Sequence, residues 1–515
     1  MATNCDWMPA CRYFENGSAW LALPGGGGAV LGKRDTGGSM RIRALLRIGA
    51  VPCVLASMAS MAAWAGSPPA AGARAVAARP EPLGYRVLRQ DVIVNADIWN
   101  RRPEMMAAGL GFTGIIGVPD LSTSNVTLSK TLAVLAGGTW NKLRCAPGQT
   151  PSLGNYTSAA TPTGIRYFYG QAVYYSDGLP VEFSWPIVPS TLDPSDFRVT
   201  LNNGTTVTPQ VTSIYPNFEY NERSVAVLFG HFGNRIPAGQ PGALYPVSVQ
   251  VVRGESKLTL AGPHHRLVSA IGFKVGTPGT PYTAPGVPPA QRGGPVLVAA
   301  KLSRMSVLGD TAPKILRQNL PNDGVSLYGS RARFRLRVYT SGGMTPNGVS
   351  ALLPTDYDRY FVVDAVTASG RTIRLTRSGR TYRIDGHPLR VVGLADLGKK
   401  EKTYGDCYTS DNDNYIDIIL DGSLAAASRI TTVQIPSTGR YHPLYNPGGP
   451  GSNPAPGVRY AAPSPPISQP VTIALANPQT ITYIHCPHQP PQWTLPARCV
   501  TLRQLQPSTT RPTHR

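Results

Sequence analysis

The chain has 515 residues, enough for several domains, and only 15% of them are charged. With 54 glycines and 50 prolines, the composition disfavours long helices and suits short strands joined by turns. The formal net charge of +21 favours polyanionic partners over basic ones.

The N-terminal region predicts export. Basic residues after Met40, an apolar run from Ile48 to Trp64 and the closing Ala63-Trp64-Ala65 are typical of a secretory signal peptide. We therefore predict a non-native extension over 1–39, a signal peptide over 40–65, a disordered leader over 66–82, and a secreted or periplasmic location. An uncleaved membrane anchor is the alternative, although Pro52 and the short apolar span suit a transmembrane helix poorly.

Cleavage after Ala65 would leave four cysteines. An even number in an oxidising compartment predicts two disulfides. Cys486 and Cys499 are close in sequence and form the first expected pair, which leaves Cys145 to pair with Cys407. The second bond would join distant parts of the chain.

Residues 83–164 form an N-terminal mixed segment, in which 128–135 fits either a helix or a strand. The pattern becomes β over 165–275, which we predict to be a β-sandwich domain of immunoglobulin-like type. An aromatic-rich stretch over 167–175 opens it, Asn202-Asn203-Gly204 predicts a tight hairpin, and the expected strands are 181–185, 197–201, 207–211, 224–229, 247–252 and 257–260.

A Pro/Gly linker over 276–295 precedes a second β domain over 296–440. A Pro/Gly/Ser-rich segment over 441–470 and C-terminal strands with a tail over 471–515 complete the chain. The predicted fold class is therefore all-β, with two sandwich-like domains, long connections and little helix. Expected strands here are 296–302, 330–339, 360–367, 371–376, 380–384, 389–394, 416–420, 430–435, 471–475 and 480–484.

The acidic stretch, Tyr404–Gly422, collects five carboxylates in a strongly basic chain. Asp411, Asp413 and Asp417 alternate with Asn412 and Asn414, and such oxygen-rich turns suit Ca²⁺. The spacing does not fit an EF-hand, so the hypothesis is an irregular calcium loop. The alternative is a solvated Asp/Asn turn whose side chains bond their own backbone.

A second candidate site lies on one predicted strand. Arg331, Arg333, Arg335 and Arg337 share one face because strand side chains alternate with a period of two. Their counter-charges would be either carboxylates of neighbouring strands or an anionic ligand. Further arginines on the next hairpins could extend such a surface, namely Arg371, Arg374, Arg377, Arg380 and Arg383.

These features predict a secreted binding or surface-attachment protein. Its partner would be an anionic polysaccharide, an envelope lipid headgroup or an acidic protein, whereas export disfavours nucleic acid. The chain has no Gly-x-Ser-x-Gly, His-Glu-x-x-His or P-loop motif. A secreted hydrolase using the Asp406–Asp421 carboxylates remains the alternative, since a glycosidase needs only two carboxylates that the fold brings together.

Overall fold

Frequent Gly and Pro break the chain into short strands and still shorter helices. The computed structural model describes residues 80–494, apart from 110, 280–281, 285, 317–323, 396–397, 399 and 452–458. The predicted extension over 1–39, the signal peptide over 40–65, nearly all of the leader and Cys499 lie outside the described residues.

Helices are few, as the composition predicts, and α2 is the longest of them at ten residues. Asn125 caps its start by accepting a hydrogen bond from the backbone N–H of Leu128, so the ambiguous 128–135 segment is helical. None of the described helices has the length and apolar character needed to span a bilayer. Their bounds are α1 Leu83–Leu88, α2 Val126–Leu135, α3 Leu153–Tyr156, α4 Pro162–Tyr169, α5 Val325–Tyr328, α6 Tyr357–Tyr360 and α7 Leu424–Ala427.

Strands make up much more of the structure than helices, which confirms the prediction of a β-rich chain. Their bounds are β1 Val92–Asp97, β2 Met105–Ala108, β3 Phe112–Ile116, β4 Ser176–Phe183, β5 Phe197–Leu201, β6 Thr206–Val207, β7 Val211–Ser213, β8 Val225–Gly230, β9 Pro246–Val251, β10 Thr259–Gly262, β11 Arg266–Ser269, β12 Lys274–Gly276, β13 Tyr282–Thr283, β14 Leu297–Arg304, β15 Phe334–Thr340, β16 Val362–Val366, β17 Thr372–Leu375, β18 Tyr382–Ile384, β19 His387–Ala395, β20 Tyr415–Gly422, β21 Ile430–Ile435, β22 Arg459–Tyr460, β23 Ile467–Pro470, β24 Thr472–Ile473 and β25 Thr480–Ile484.

Two local predictions are wrong. The aromatic-rich stretch over 167–175 begins inside helix α4 rather than in a strand. Thr161 caps that helix through its hydroxyl, Pro162 occupies the first turn, and Gly170 ends it at φ +89°. The predicted strand over 207–211 is interrupted at Pro209, which has no N–H to donate, so β6 and β7 belong to different sheets.

The N-terminal block, which we define as β1 to β12, contains two main sheets that share one core. One runs β2-β4-β8-β7, with β3 also paired to β4, and the other runs β12-β9-β5-β6. Val181 and Leu228 of the first sheet and Val199 and Val249 of the second belong to the same buried apolar cluster. The alternation of apolar side chains along each strand thus fills the space between the two sheets.

The second block, which we define as β14 to β24, repeats this arrangement. It has a six-stranded sheet, β18-β19-β20-β15-β14-β24, and a four-stranded sheet, β17-β16-β21-β23. Leu336 and Ile418 of the larger sheet and Val363 and Val433 of the smaller one lie in a single core. The larger sheet is buried on its other face as well, since all seven residues of β15 are buried.

The N-terminal block covers that second face. Strand β1 pairs antiparallel with β25. Tyr339 and Tyr415 of the six-stranded sheet pack in a cluster with Val225 and Phe229 of the N-terminal block. Polar side chains on this face of the sheet are therefore enclosed between the two blocks.

Candidate functional site

Three charged side chains lie side by side across the centre of the six-stranded sheet. Lys301 of β14 is opposite Arg337 of β15, which is opposite Asp417 of β20. Their neighbours along each strand point into the apolar core, so the alternation places this row on the opposite face. All three are almost fully buried.

Asp417 binds two arginines. Its Oδ1 lies 2.8 Å from Nε of Arg337 and its Oδ2 lies 2.9 Å from Nη2, a bidentate pair. Its Oδ2 is also 2.8 Å from Nε of Arg335. Burial alone would raise the pKa of Asp417, but the two guanidinium groups outweigh burial and hold this pKa below its usual range.

Carboxylates from three other segments complete this buried ion network, which we define as Lys301, Arg335, Arg337, Asp97, Asp310, Asp417 and Glu222. Asp97 of β1 pairs with Lys301 and lies 3.6 Å from Nη1 of Arg337. Asp310 is 2.8 Å from Nη2 of Arg335, and Glu222 is 3.0 Å from Nη2 of Arg337.

The same network shifts the pKa values of its bases. Burial would lower the pKa of Arg337, yet Asp417 and Glu222 hold it well above its usual value. For Lys301, burial lowers the pKa despite the attraction of Asp97. The network is thus a set of mutually compensating buried charges.

The predicted arginine surface needs correction at two of its four positions. Arg335 and Arg337 share a face, but that face is buried and their partners are the chain's own carboxylates. Arg331 and Arg333 are exposed and precede β15. Because the two halves differ in burial, these four arginines do not form one surface that a large anionic ligand could cover.

The three predicted calcium ligands do not form one cluster. Asp417 is committed to arginines, whereas Asp411 and Asp413 lie with Glu222, each offering one carboxylate oxygen within 4.8 Å of the others. Glu222 also shares a hydrogen bond with Asp413, and burial raises the pKa of Glu222. One proton shared between the carboxyl groups of Glu222 and Asp413 can therefore remove the repulsion between them. Calcium at this site stays a prediction, with Glu222 in place of Asp417.

The acidic stretch is anchored on both sides of this cluster. The Asn414 amide donates to Glu182 Oε1 at 2.8 Å and to the carbonyl of Thr340 at 3.0 Å. Upstream, Cys407 is joined to Cys145 with their Cα atoms 4.9 Å apart, as the sequence-based pairing expected. Cys486 is also disulfide-bonded, while Cys499, its expected partner, lies outside the described residues.

Sequence reasoning missed four members of the ion network. Lys301 stands inside an otherwise apolar predicted strand, and Glu222 lies in the charged run Glu219–Arg223, so both carried a signal of buried pairing. Asp97 carried no such signal, because it lies far along the chain from the bases that it meets, and neither did Asp310, which lies outside any predicted strand.

A group of exposed arginines lies elsewhere on the second block. We define the arginine rim as Arg371, Arg374, Arg377, Arg380 and Arg383, all exposed. Arg374 lies in β17 and Arg383 lies in β18, which are edge strands of the four-stranded and six-stranded sheets, and the other three lie just outside these strands. The rim therefore runs along the side where both sheets end.

Only part of the rim is neutralised. Arg374 lies 3.5 Å from Asp364, and Arg377 lies 3.5 Å from Asp358. Within the part of the chain that the structure describes, the other three rim arginines have no carboxylate partner.

Two small cavities lie away from both regions, each about 10 Å³, which is room for roughly one water. Neither is lined by a residue of Asp406–Asp421. Comparisons with protein-family models, curated proteins and solved structures found no match for this chain.

Proposed function

We propose that this chain is an exported protein that binds an anionic polysaccharide through the arginine rim. The observation that carries the proposal is a row of five exposed arginines, three of which have no carboxylate partner in the described part of the chain. Guanidinium groups bind carboxylate and sulfate groups in a bidentate manner. A row of them suits an extended polyanion better than a single small anion.

Aromatic rings accompany the rim. The guanidinium of Arg380 lies 5.1 Å from the ring centre of Tyr382. Arg440 donates to the carbonyl of Thr376 inside the rim segment and lies 4.7 Å from the ring centre of Tyr441. Tyr382 is buried in the core of the second block, but the partly exposed ring of Tyr441 offers apolar contact to the carbon face of a sugar, which favours a polysaccharide over a bare ion.

Charge on an edge strand also has a role that needs no ligand, because it discourages pairing with another sheet edge. Arginine and lysine serve that role equally well, whereas lysine does not reproduce bidentate binding. Replacing Arg371, Arg380 and Arg383 with lysine therefore separates the two roles.

The other parts of the proposal have indirect support. We propose immunoglobulin-like sandwiches for both blocks because in each block two sheets share one core. We propose export because the N-terminal sequence has the three parts of a signal peptide. A hydrolase acting through the acidic stretch has less support, because Asp417 and Asp421 are paired with arginines.

The test is affinity for immobilised heparin measured by salt elution and by direct titration. The triple variant Arg371→Ser/Arg380→Ser/Arg383→Ser should bind about tenfold more weakly, since three exposed ion pairs at about 0.5 kcal/mol each sum to about 1.5 kcal/mol. A matched control removes three exposed bases from the N-terminal block, with Arg198→Ser/Arg253→Ser/Lys274→Ser. An equal loss in the control would show attraction by net charge alone and would refute the rim as a site.

A further inference from the structure

Two consecutive tyrosines stand out on the surface of the N-terminal block. Tyr174 and Tyr175 are 57% and 51% exposed. Within the described part of the chain, neither ring stacks on another ring and neither hydroxyl makes a hydrogen bond. Rigid aromatic side chains exposed in this way offer a large contact area that loses little conformational entropy on binding.

Tyr175 is also held in a backbone conformation that disfavours tyrosine. Its φ is +48°, in the left-handed region, where a bulky residue is a rare outlier. At two nearby positive-φ positions the chain has glycine, Gly117 at +85° and Gly170 at +89°. Asp120 has φ +59° nearby, but the short polar side chain of aspartate tolerates this region better than a bulky tyrosine does.

The loop is fixed in this strained form. The N–H of Tyr175 donates to the carbonyl of Gly117 at 3.3 Å. A Cβ at Gly117 would lie 1.9 Å from the carbonyl oxygen of Val173, so the two backbone segments are in close approach. The loop cannot relax without losing this contact, and the two tyrosines stay on the surface.

Three uncharged polar side chains, those of Gln171, Ser176 and Gln210, meet beside the pair. Gln171 donates to the carbonyl of Gln210 at 2.8 Å, and Ser176 donates to the side-chain oxygen of Gln210 at 2.7 Å. Within the described residues the Gln210 NH₂ group makes no hydrogen bond, so it can donate to a ligand. His231 is exposed and lies near the start of β4, because the residue before it, Gly230, pairs with Asp177 there.

We propose that Tyr174 and Tyr175 form a stacking platform for an uncharged sugar ring of a glycan. Aromatic faces stack on the C–H faces of hexoses, and the amides of Gln171 and Gln210 match sugar hydroxyls in donor and acceptor character. Gln171, Gln210 and Ser176, which the fold brings together beside the pair, carry no charge, so the ligand class is a neutral hexose or N-acetylhexosamine. This site is separate from the arginine rim and stands without it.

The test uses chitohexaose and cellohexaose titrated into the full chain by calorimetry. The wild type should bind at least one of the two. Tyr174→Ala and Tyr175→Gly should each weaken that binding at least tenfold, while Tyr175→Phe should retain it. Because glycine relieves the strain at position 175, Tyr175→Gly should also unfold at a higher temperature than the wild type.

This combination distinguishes a binding role from a structural one. A less stable Tyr175→Gly variant with unchanged sugar affinity would overturn the proposal, and so would the absence of binding heat for both sugars in the wild type. If Tyr175→Gly fails to fold, Tyr174→Ala still decides the question. Heparin elution should not change in Tyr174→Ala, so failure here and failure of the rim are separable.

Discussion

Asp417 is the residue on which the buried ion network most depends, and Asp417→Asn tests it directly. The amide keeps the shape of the carboxylate but removes the charge that faces Arg335 and Arg337 at 2.8 Å. Removing one partner of a buried pair costs about 3–5 kcal/mol because the remaining charge is left uncompensated. Other carboxylates of the network remain nearby, so we expect a loss of about 3 kcal/mol.

The assay is denaturant unfolding at pH 7, followed by tryptophan fluorescence. Asp421→Asn is the matched control, because Asp421 lies on the same strand and forms a partly exposed pair with Arg390. That variant should lose no more than about 1 kcal/mol.

A double variant measures the interaction itself. Arg337→Met combined with Asp417→Asn should cost at least about 1 kcal/mol less than the sum of the two single changes, because the single changes each leave a charge unpaired. If Asp417→Asn unfolds within 1 kcal/mol of the wild type, or if it matches Asp421→Asn, the reasoning about the network is refuted.

Three further predictions concern other parts of the fold. Burial raises the pKa of Asp177 to about 7, so the folded state holds a proton that the unfolded state releases, and stability should fall as the pH rises from about 4 to 7. The Asp177→Asn variant should lose this part of the pH dependence, and an unchanged profile would contradict it. Calcium titration should give heat with the wild type and none with Asp413→Asn, whereas a silent wild type removes calcium from this cluster. Cys145→Ser should cost about 2–4 kcal/mol in unfolding experiments, since the bond spans 262 residues, and a variant as stable as the oxidised wild type would disprove that contribution.

Much of the strand pattern could be predicted because it is local. The strands Phe197–Leu201, Ile430–Ile435 and Thr480–Ile484 have the bounds that alternation predicts. Helix α4 was missed because aromatic residues favour strands, while the capping hydroxyl of Thr161 and the proline after it favour a helix start. A helix cap involves only one or two residues, so the alternation of apolar and polar residues does not reveal it.

The candidate site was harder to predict, because burial of a charge depends on residues far along the chain. Alternation correctly indicates that Arg335 and Arg337 share a face. It does not indicate whether that face meets water or another sheet. The answer depends on Asp97 and Glu222, which lie more than 100 residues before the arginines along the chain and meet Arg337 only in the folded structure.

The division of arginines between interior and edge is the basis of the functional proposal. A buried ion network is costly to desolvate, and apolar residues of similar size are often as stable or more so. We therefore expect the network to specify how the two blocks meet, because only one placement brings Asp97 to Lys301 and Glu222 to Arg337. Arginines engaged in that way cannot also bind an external anion. The charge left for a ligand is on the exposed arginines, and the rim is where they lie along both sheet edges.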